Sequence, residues 1–158
     1  MKKTKTLAFI AAATATLLGS CGDFEASDNG ILDGFWQMTN IDTLATGHSG
    51  NVQSRMIFWS VQGGLIELSD RRTDIPDDEQ RYSSIFYRFD RSADVLTLLG
   101  EPKPRKKNRA KGDRDFASYA ECSVYGLSDE GDVLQILRLE DRQMTLQSEH
   151  FRMYFRKY

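Results

Sequence analysis

The sequence predicts an all-β fold, a small antiparallel barrel of eight strands with one short helix. Short segments alternate apolar and polar residues, and Gly, Asn and Asp separate them, which is typical of half-buried strands joined by turns. Aromatic residues make up 11% of the chain and favour strands. Eight strands in an open sheet leave two unpaired edges, and closure into a barrel removes both. A two-sheet sandwich is the alternative architecture.

The predicted strands begin at residue 35 and continue to the end of the chain. Gly63-Gly64 predicts a two-residue hairpin, and an interruption at 100–125 divides into a basic loop (100–115) and a short helix (116–125). In the last strand Phe151, Met153 and Phe155 alternate with three polar or aromatic residues. The eight predicted strands are residues 35–44, 55–61, 65–70, 84–90, 95–99, 133–139, 143–148 and 151–157.

The first twenty residues have the composition of an export signal. Lysines at positions 2, 3 and 5 precede an apolar run over 7–18, and two small residues lead to Cys21. Twelve apolar residues are too few to span a bilayer as a helix, which takes about 20. The predicted organisation is therefore a signal peptide (1–20), a lipidated N-terminus and tether (21–31), and a barrel domain (32–158).

The end of this signal, Leu18-Gly19-Ser20-Cys21, resembles the lipobox of bacterial lipoproteins. The resemblance implies that Cys21 is acylated and becomes the mature N-terminus. Stable anchoring takes more than one acyl chain, and a multiply acylated cysteine meets that need. The resemblance places the protein in the cell envelope, on the periplasmic or surface face of the outer membrane. An ordinary secretory signal followed by an unmodified cysteine is the alternative.

Charge and cysteine content limit the partners. Removing residues 1–20 takes away three of 21 basic residues and none of the 23 acidic ones, leaving a formal net charge of −5. An acidic exported domain is not expected to bind nucleic acid. If Cys21 is lipidated, Cys122 has no partner for a disulfide, so we expect a small buried side chain there rather than a reactive thiol.

Gly34-Phe35-Trp36 resembles the Gly-x-Trp at the start of the first strand in lipocalins. The resemblance implies that Trp36 plugs the closed end of the barrel and packs under an arginine from the last strand. Arg152 and Arg156 are the candidates for that arginine.

A broader resemblance, to the lipocalin-like lipoproteins of the Bacteroidetes envelope, covers most of residues 32–158. It rests on 55–62 (RMIFWSVQ), on Tyr125-Gly126 followed by 133–139, and on the two stretches 144–146 and 153–157 of the ending. It implies a fold and a location but no substrate.

An aromatic stripe on the strands is the candidate ligand site. It is either a packed core or the wall of a partly open apolar cavity for a small apolar or glycan ligand. Met56, Phe58, Phe86 and Tyr154 lie on the opposite face, where we expect the segment 116–125 to cover them; a partner-binding patch is the alternative. The stripe consists of Trp36, Trp59, Tyr87, Phe89 and Phe155.

The basic loop 102–114 has two interpretations, a solvated loop or a contact for lipid phosphates, an acidic glycan or an acidic envelope protein. Its candidate contact residues are Lys103, Arg105, Lys106, Lys107, Arg109 and Lys111.

No catalytic motif is present in the sequence, and His48 and His150 lack partners at metal-ligand spacing. We therefore predict no metal and no cofactor, and a binding or accessory module rather than an enzyme. The alternative function is a protein-interaction module that docks an envelope partner through the basic loop or through exposed aromatic residues.

Overall fold

The computed structural model describes residues 27–71, 84–105, 122–127 and 132–158, with only the backbone described over 101–105. Within them, nine strands and two 3₁₀ turns are formed, and the turns are Gly30–Leu32 and Gln53–Arg55. The strands are β1 (Gly34–Thr43), β2 (His48–Asn51), β3 (Ile57–Gln62), β4 (Leu65–Asp70), β5 (Ser84–Ser92), β6 (Val95–Arg105), β7 (Val133–Leu139), β8 (Gln143–Gln147) and β9 (Phe151–Lys157).

The strands form one antiparallel sheet that closes on itself. From β3 to β9 each strand pairs with the next, and β1 pairs with β3 on one side and with β9 on the other. Strands β2 and β3 share one position, because β2 pairs with the second half of β1 and β3 with the first half. The predicted closed barrel of eight strands is confirmed, and closure leaves no sheet edge between β9 and β1.

The break between β2 and β3 is a local feature that the sequence did not indicate. The turn Gln53–Arg55 interrupts the pairing, and Met56 ends it with a left-handed backbone at φ 51°. A non-glycine residue with this φ is uncommon and costs conformational energy. The hairpin after β3 has the predicted Gly63-Gly64 connection between Gln62 and Leu65.

One predicted boundary is wrong, and a second predicted element is only partly described. Strand β6 continues to Arg105, which pairs with Ser84, so residues 100–105 are strand and not the start of the basic loop. The short helix predicted over 116–125 is described only from Cys122, where two residues have helical backbone before a turn. The described residues contain no complete α-helix, and the rest of that prediction lies outside them.

Apolar side chains from the strands, from the turn Gly30–Leu32 and from residues 122–127 meet in one buried cluster inside the barrel. The end at Gly30–Leu32 is called the closed end, and the end where β1 finishes and β9 begins is called the mouth end. No helix among the described residues has the length and apolar character needed to cross a bilayer.

Candidate functional site

The closed end is built around Trp36. Its side chain is fully buried, and its Nε1 donates a hydrogen bond to the Leu32 carbonyl at 2.8 Å. The Lys157 ammonium lies over the indole, with Nζ 4.8 Å from the ring centroid, and donates to the Ile31 carbonyl at 2.9 Å. The turn is thus attached to the barrel by both residues, and together they close this end.

The cation over Trp36 was predicted to be Arg152 or Arg156, and the structure has Lys157 instead. Side chains alternate between the two faces of a strand, so in β9 the odd-numbered Phe155 and Lys157 point inward. The register places Lys157 directly opposite Trp36. Gly34 makes room for the lysine, since a Cβ there would lie 2.6 Å from Lys157 Cε.

Both arginines lie on the outer face. Arg152 donates from Nε and Nη2 to Gln147 Oε1 at 2.9 and 2.7 Å. The pKa of Asp42 is held below its usual value by the nearby Ser49 hydroxyl, by the Tyr154 hydroxyl, which donates to Oδ2 at 2.8 Å, and by the charge of Arg152. Arg156 Nε donates to Gln37 Oε1 at 2.9 Å.

The five residues of the predicted ligand stripe all belong to the interior cluster. Trp36 and Trp59 lie directly opposite each other on β1 and β3, and the rings of Trp59 and Phe155 meet edge to face at 5.3 Å. Tyr87 is 2% and Phe89 6% exposed. The structure therefore brings these side chains together and shields them from solvent.

One polar atom in this interior lacks a partner. Trp59 is fully buried, and no acceptor among the described residues lies within hydrogen-bond distance of its Nε1. Its neighbour Trp36 has the same burial but does donate its indole hydrogen. A buried donor without an acceptor costs about 1–3 kcal/mol. Among the described residues, Trp59 Nε1 is therefore a buried donor that could accept a further hydrogen-bond partner.

Residues 122–127 fill the mouth end. Gly126 adopts φ +81°, Leu127 N donates to the Cys122 carbonyl, and Gly126 N to the Ser123 carbonyl, the bonding pattern of a Schellman turn. The turn directs Cys122, Tyr125 and Leu127 into the interior cluster. The predicted burial of Cys122 is confirmed, and its Sγ lies 3.5 Å from the Tyr87 hydroxyl.

Phe58, on the outer face, packs against two other aromatic rings. Phe35 stacks on it at 4.5 Å between ring centroids, and Tyr158 meets it edge-on at 5.3 Å. The Arg71 guanidinium lies 4.5 Å from the Phe35 centroid. Residues 122–125 pack inside the barrel, whereas residues 116–121 lie outside the described residues, so the prediction that segment 116–125 covers Phe58 stays a prediction. The alternation of side chains in β1 and β3 places Phe35 and Phe58 on the same face, because Gln37, two residues after Phe35, pairs with Phe58. This alternation was the sequence signal for their contact on the outer face.

The basic residues are only partly described. The backbone of Lys103 and Arg105 lies at the end of β6, paired with Phe86 and Ser84. Lys106, Lys107, Arg109 and Lys111 lie outside the described residues, so their role in an anion or partner contact stays a prediction. Over the described ranges, no three His, Cys, Asp or Glu side chains are grouped closely enough to hold a metal ion.

A closed eight-stranded antiparallel barrel with a tryptophan and a 3₁₀ turn at one end defines a class of small β-barrel proteins. The family model for the lipocalin-like domain matches residues 16–158. The chain therefore belongs to the lipocalin-like domain family. No match is found among curated proteins.

Two solved structures share the fold. A lipocalin-like protein from Bacteroides uniformis has 18% identity and a TM-score of 0.57, with 82% of this chain and 100% of that chain covered. An uncharacterized protein from Bacteroides eggerthii has 22% identity and a TM-score of 0.58, with 80% and 98% covered. At these identities the likeness establishes the fold alone.

Proposed function

We propose that this protein is a lipid-anchored envelope protein whose barrel binds a small, neutral, mainly apolar ligand carrying one hydrogen-bond acceptor. The observation that carries the proposal is the buried Trp59 Nε1, which has no acceptor among the described residues. Aromatic and aliphatic walls with few polar groups are typical of small-molecule sites, and a ligand acceptor bonded to Trp59 would remove the cost of the unpaired donor.

The surroundings of Trp59 favour a neutral ligand. Trp36 and Leu68 lie opposite it on the two neighbouring strands, and Phe155 lies against its ring. None of these three side chains is charged, so a carboxylate among them would lose its hydration without gaining an ion pair from them. An alcohol, ketone or ester oxygen can accept from the indole at far lower desolvation cost.

Entry requires the mouth end to open. The side chains around Trp59 are shielded from solvent, so a ligand reaches them when residues 122–127 move off the barrel end. One of the polar contacts across that end is long, because Ser148 Oγ donates to the Gly126 carbonyl at 3.4 Å. Long hydrogen bonds of this kind are weak, which favours this end over the closed end as the entrance.

The ligand proposal is tested with two probes of equal chain length, 2-decanone and decane. Isothermal titration of the purified protein is expected to show a preference for the ketone of about three- to tenfold, the size of one net hydrogen bond. Trp59→Phe keeps an aromatic ring and removes the donor, so it is expected to abolish the preference. Equal affinities in the unmodified protein, or a preference retained in the variant, would contradict the proposal.

The attachment of the N-terminal segment supports the anchoring proposal. Asn29 Nδ2 donates to the Gly63 carbonyl at 2.7 Å and to Asp33 Oδ1 at 2.8 Å, and Arg91 Nη1 donates to the Asn29 carbonyl at 2.9 Å. Residues 27–31, assigned to the tether from the sequence, are therefore fixed at the closed end. Six residue steps from Cys21 to Ser27 reach at most roughly 20 Å. A lipid on Cys21 would hold the closed end toward the membrane and the mouth away from it.

The anchor is tested by Cys21→Ser. This variant is expected to leave the membrane fraction, because the acyl chains that provide the binding free energy have no attachment atom. The matched control is Cys122→Ser, which is expected to stay in the membrane fraction since Cys122 is buried in the barrel. The measurement is metabolic labelling of living cells with a fatty acid, followed by separation of the membrane and soluble fractions. Labelling of the Cys21→Ser protein would refute the lipobox assignment.

A further inference from the structure

The outer face carries an open pocket of about 460 Å³ that is separate from the barrel interior. It lies where β1 and β9 run beside the 3₁₀ turn Gln53–Arg55. Asn51, Gln53 and Ser54 line one side, and Met56, with its left-handed backbone, lies beside them. Gln37, only 1% exposed, lies at its base. Its size falls in the usual range of small-molecule sites.

The Gln37 amide fixes the pocket on two sides. Its Nε2 donates to the Gln53 carbonyl at 3.1 Å and contacts Met56 Sδ at 3.5 Å. Its Oε1 accepts from Arg156 Nε at 2.9 Å. A buried amide that is bonded at both ends has one orientation, so the position of the arginine is set in advance of any ligand.

Within the described ranges, two of the three guanidinium nitrogens of Arg156 are available to a ligand. Only Nε is used by Gln37, and no acceptor among the described residues is bonded to the two terminal nitrogens. Guanidinium donors of this kind form paired hydrogen bonds with a carboxylate. None of the side chains lining the pocket is acidic, so no side-chain carboxylate of the lining competes for the arginine.

The last wall is an aromatic ring. Tyr158 lines the pocket and is 71% exposed, while its ring is held edge-on by Phe35 and Phe58 at 6.0 and 5.3 Å. Its backbone N–H donates to the Phe35 carbonyl at 2.8 Å. An accessible ring in a fixed position beside amide and hydroxyl side chains suits a flat ligand with one apolar face and several hydroxyl groups.

We propose that this outer pocket binds an acidic sugar, with the carboxylate on Arg156, the hydroxyl groups on Asn51, Gln53 and Ser54, and the apolar face of the ring on Tyr158. This site is independent of the barrel ligand, since its residues point away from the interior. It gives the protein a second binding function, toward carboxylated glycans.

The test uses three probes: glucuronate, glucose and acetate. Binding to the purified protein is measured by saturation-transfer NMR titration. Glucuronate is expected to bind about tenfold more tightly than glucose, as one charge-assisted pair predicts, and more tightly than acetate, which lacks the ring. Equal binding of glucuronate and glucose would overturn the proposal, and equal binding of glucuronate and acetate would overturn the assignment to a sugar.

Variants on one strand separate the site from general charge. Arg156→Gln is expected to remove the preference for glucuronate over glucose. The control Arg152→Gln removes the same charge from the same face of β9, where Arg152 is bonded to Gln147, and is expected to leave that preference intact. Arg156→Lys keeps the charge but loses the guanidinium pair, so it is expected to bind glucuronate more weakly than the unmodified protein. A similar loss in Arg156→Gln and Arg152→Gln would contradict a specific site.

Discussion

Trp36→Ala is expected to lower the free energy of unfolding by about 3–5 kcal/mol, the range for a large buried aromatic side chain. Trp36 is fully buried, and its Nε1 holds the Leu32 carbonyl at 2.8 Å. Loss of the indole leaves a cavity at the closed end, leaves that carbonyl without its donor, and removes the ring under Lys157. Chemical denaturation monitored by circular dichroism measures the change.

The matched comparison for this variant is Lys157→Met, which keeps an apolar stem over the indole and removes the charge. We expect a loss of about 0.5–2 kcal/mol, because a cation–π pair contributes that much. If Trp36→Ala cost no more than Lys157→Met, the tryptophan would not be the residue that closes this end.

Gly126→Ala is expected to destabilise the barrel by about 2–5 kcal/mol. Two costs combine: a side chain at φ +81° costs about 1–2 kcal/mol, and crowding in a packed core costs about 1–3 kcal/mol more. An added Cβ would overlap the Met153 side chain and lie 3.3 Å from Ile41 Cδ1. Met153 or the turn at the mouth end would therefore have to shift within the interior cluster.

Gly47→Ala separates the two costs. Gly47 also has a positive φ, +66°, but nothing lies within 4 Å of a Cβ built there. The Gly47→Ala variant is expected to lose about 1–2 kcal/mol of unfolding free energy, the backbone cost alone. Equal losses at the two glycines in thermal and chemical unfolding would show that residues 122–127 do not pack tightly against Met153.

Much of the barrel follows from local sequence patterns. The alternation of apolar and polar residues was enough to predict the inward side chains of β3 and β9. Gly63-Gly64 predicted the hairpin between β3 and β4. The same alternation, continued two residues past Phe155, identifies Lys157 as the cation for Trp36. The resemblance to lipocalins instead implied Arg152 or Arg156, which alternate to the outer face of β9.

Other features depend on contacts between distant segments. Pro102 and Pro104 argue against a strand over 100–105. Within the described residues, however, β6 pairs with β7 only through residues 95–97, and prolines are tolerated where a strand edge needs no donor. The left-handed Met56 and the cover on Phe58 likewise arise from packing across strands. No sequence pattern indicated that Gln37 would be buried and bonded to Arg156.

The interior of the barrel has the same alternation whether it is packed or open, so the sequence left both interpretations standing. The structure shows the five aromatic candidates buried together, with the mouth filled by residues 122–127. Among the described residues, Trp59 Nε1 is a buried interior nitrogen that has no hydrogen-bond partner. The proposed ligand site therefore depends on that atom more than on the size of the barrel.

The measurement that tests this site most directly is the ¹⁵N–¹H spectrum of the two indole groups, since the chain contains two tryptophans. Trp36 serves as an internal control because its Nε1 is already bonded to Leu32. On addition of 2-decanone, the Trp59 indole resonance is expected to move downfield as it gains an acceptor, while the Trp36 resonance stays in place. A Trp59 resonance that does not respond to the ketone, or that responds equally to decane, would contradict the proposed binding site.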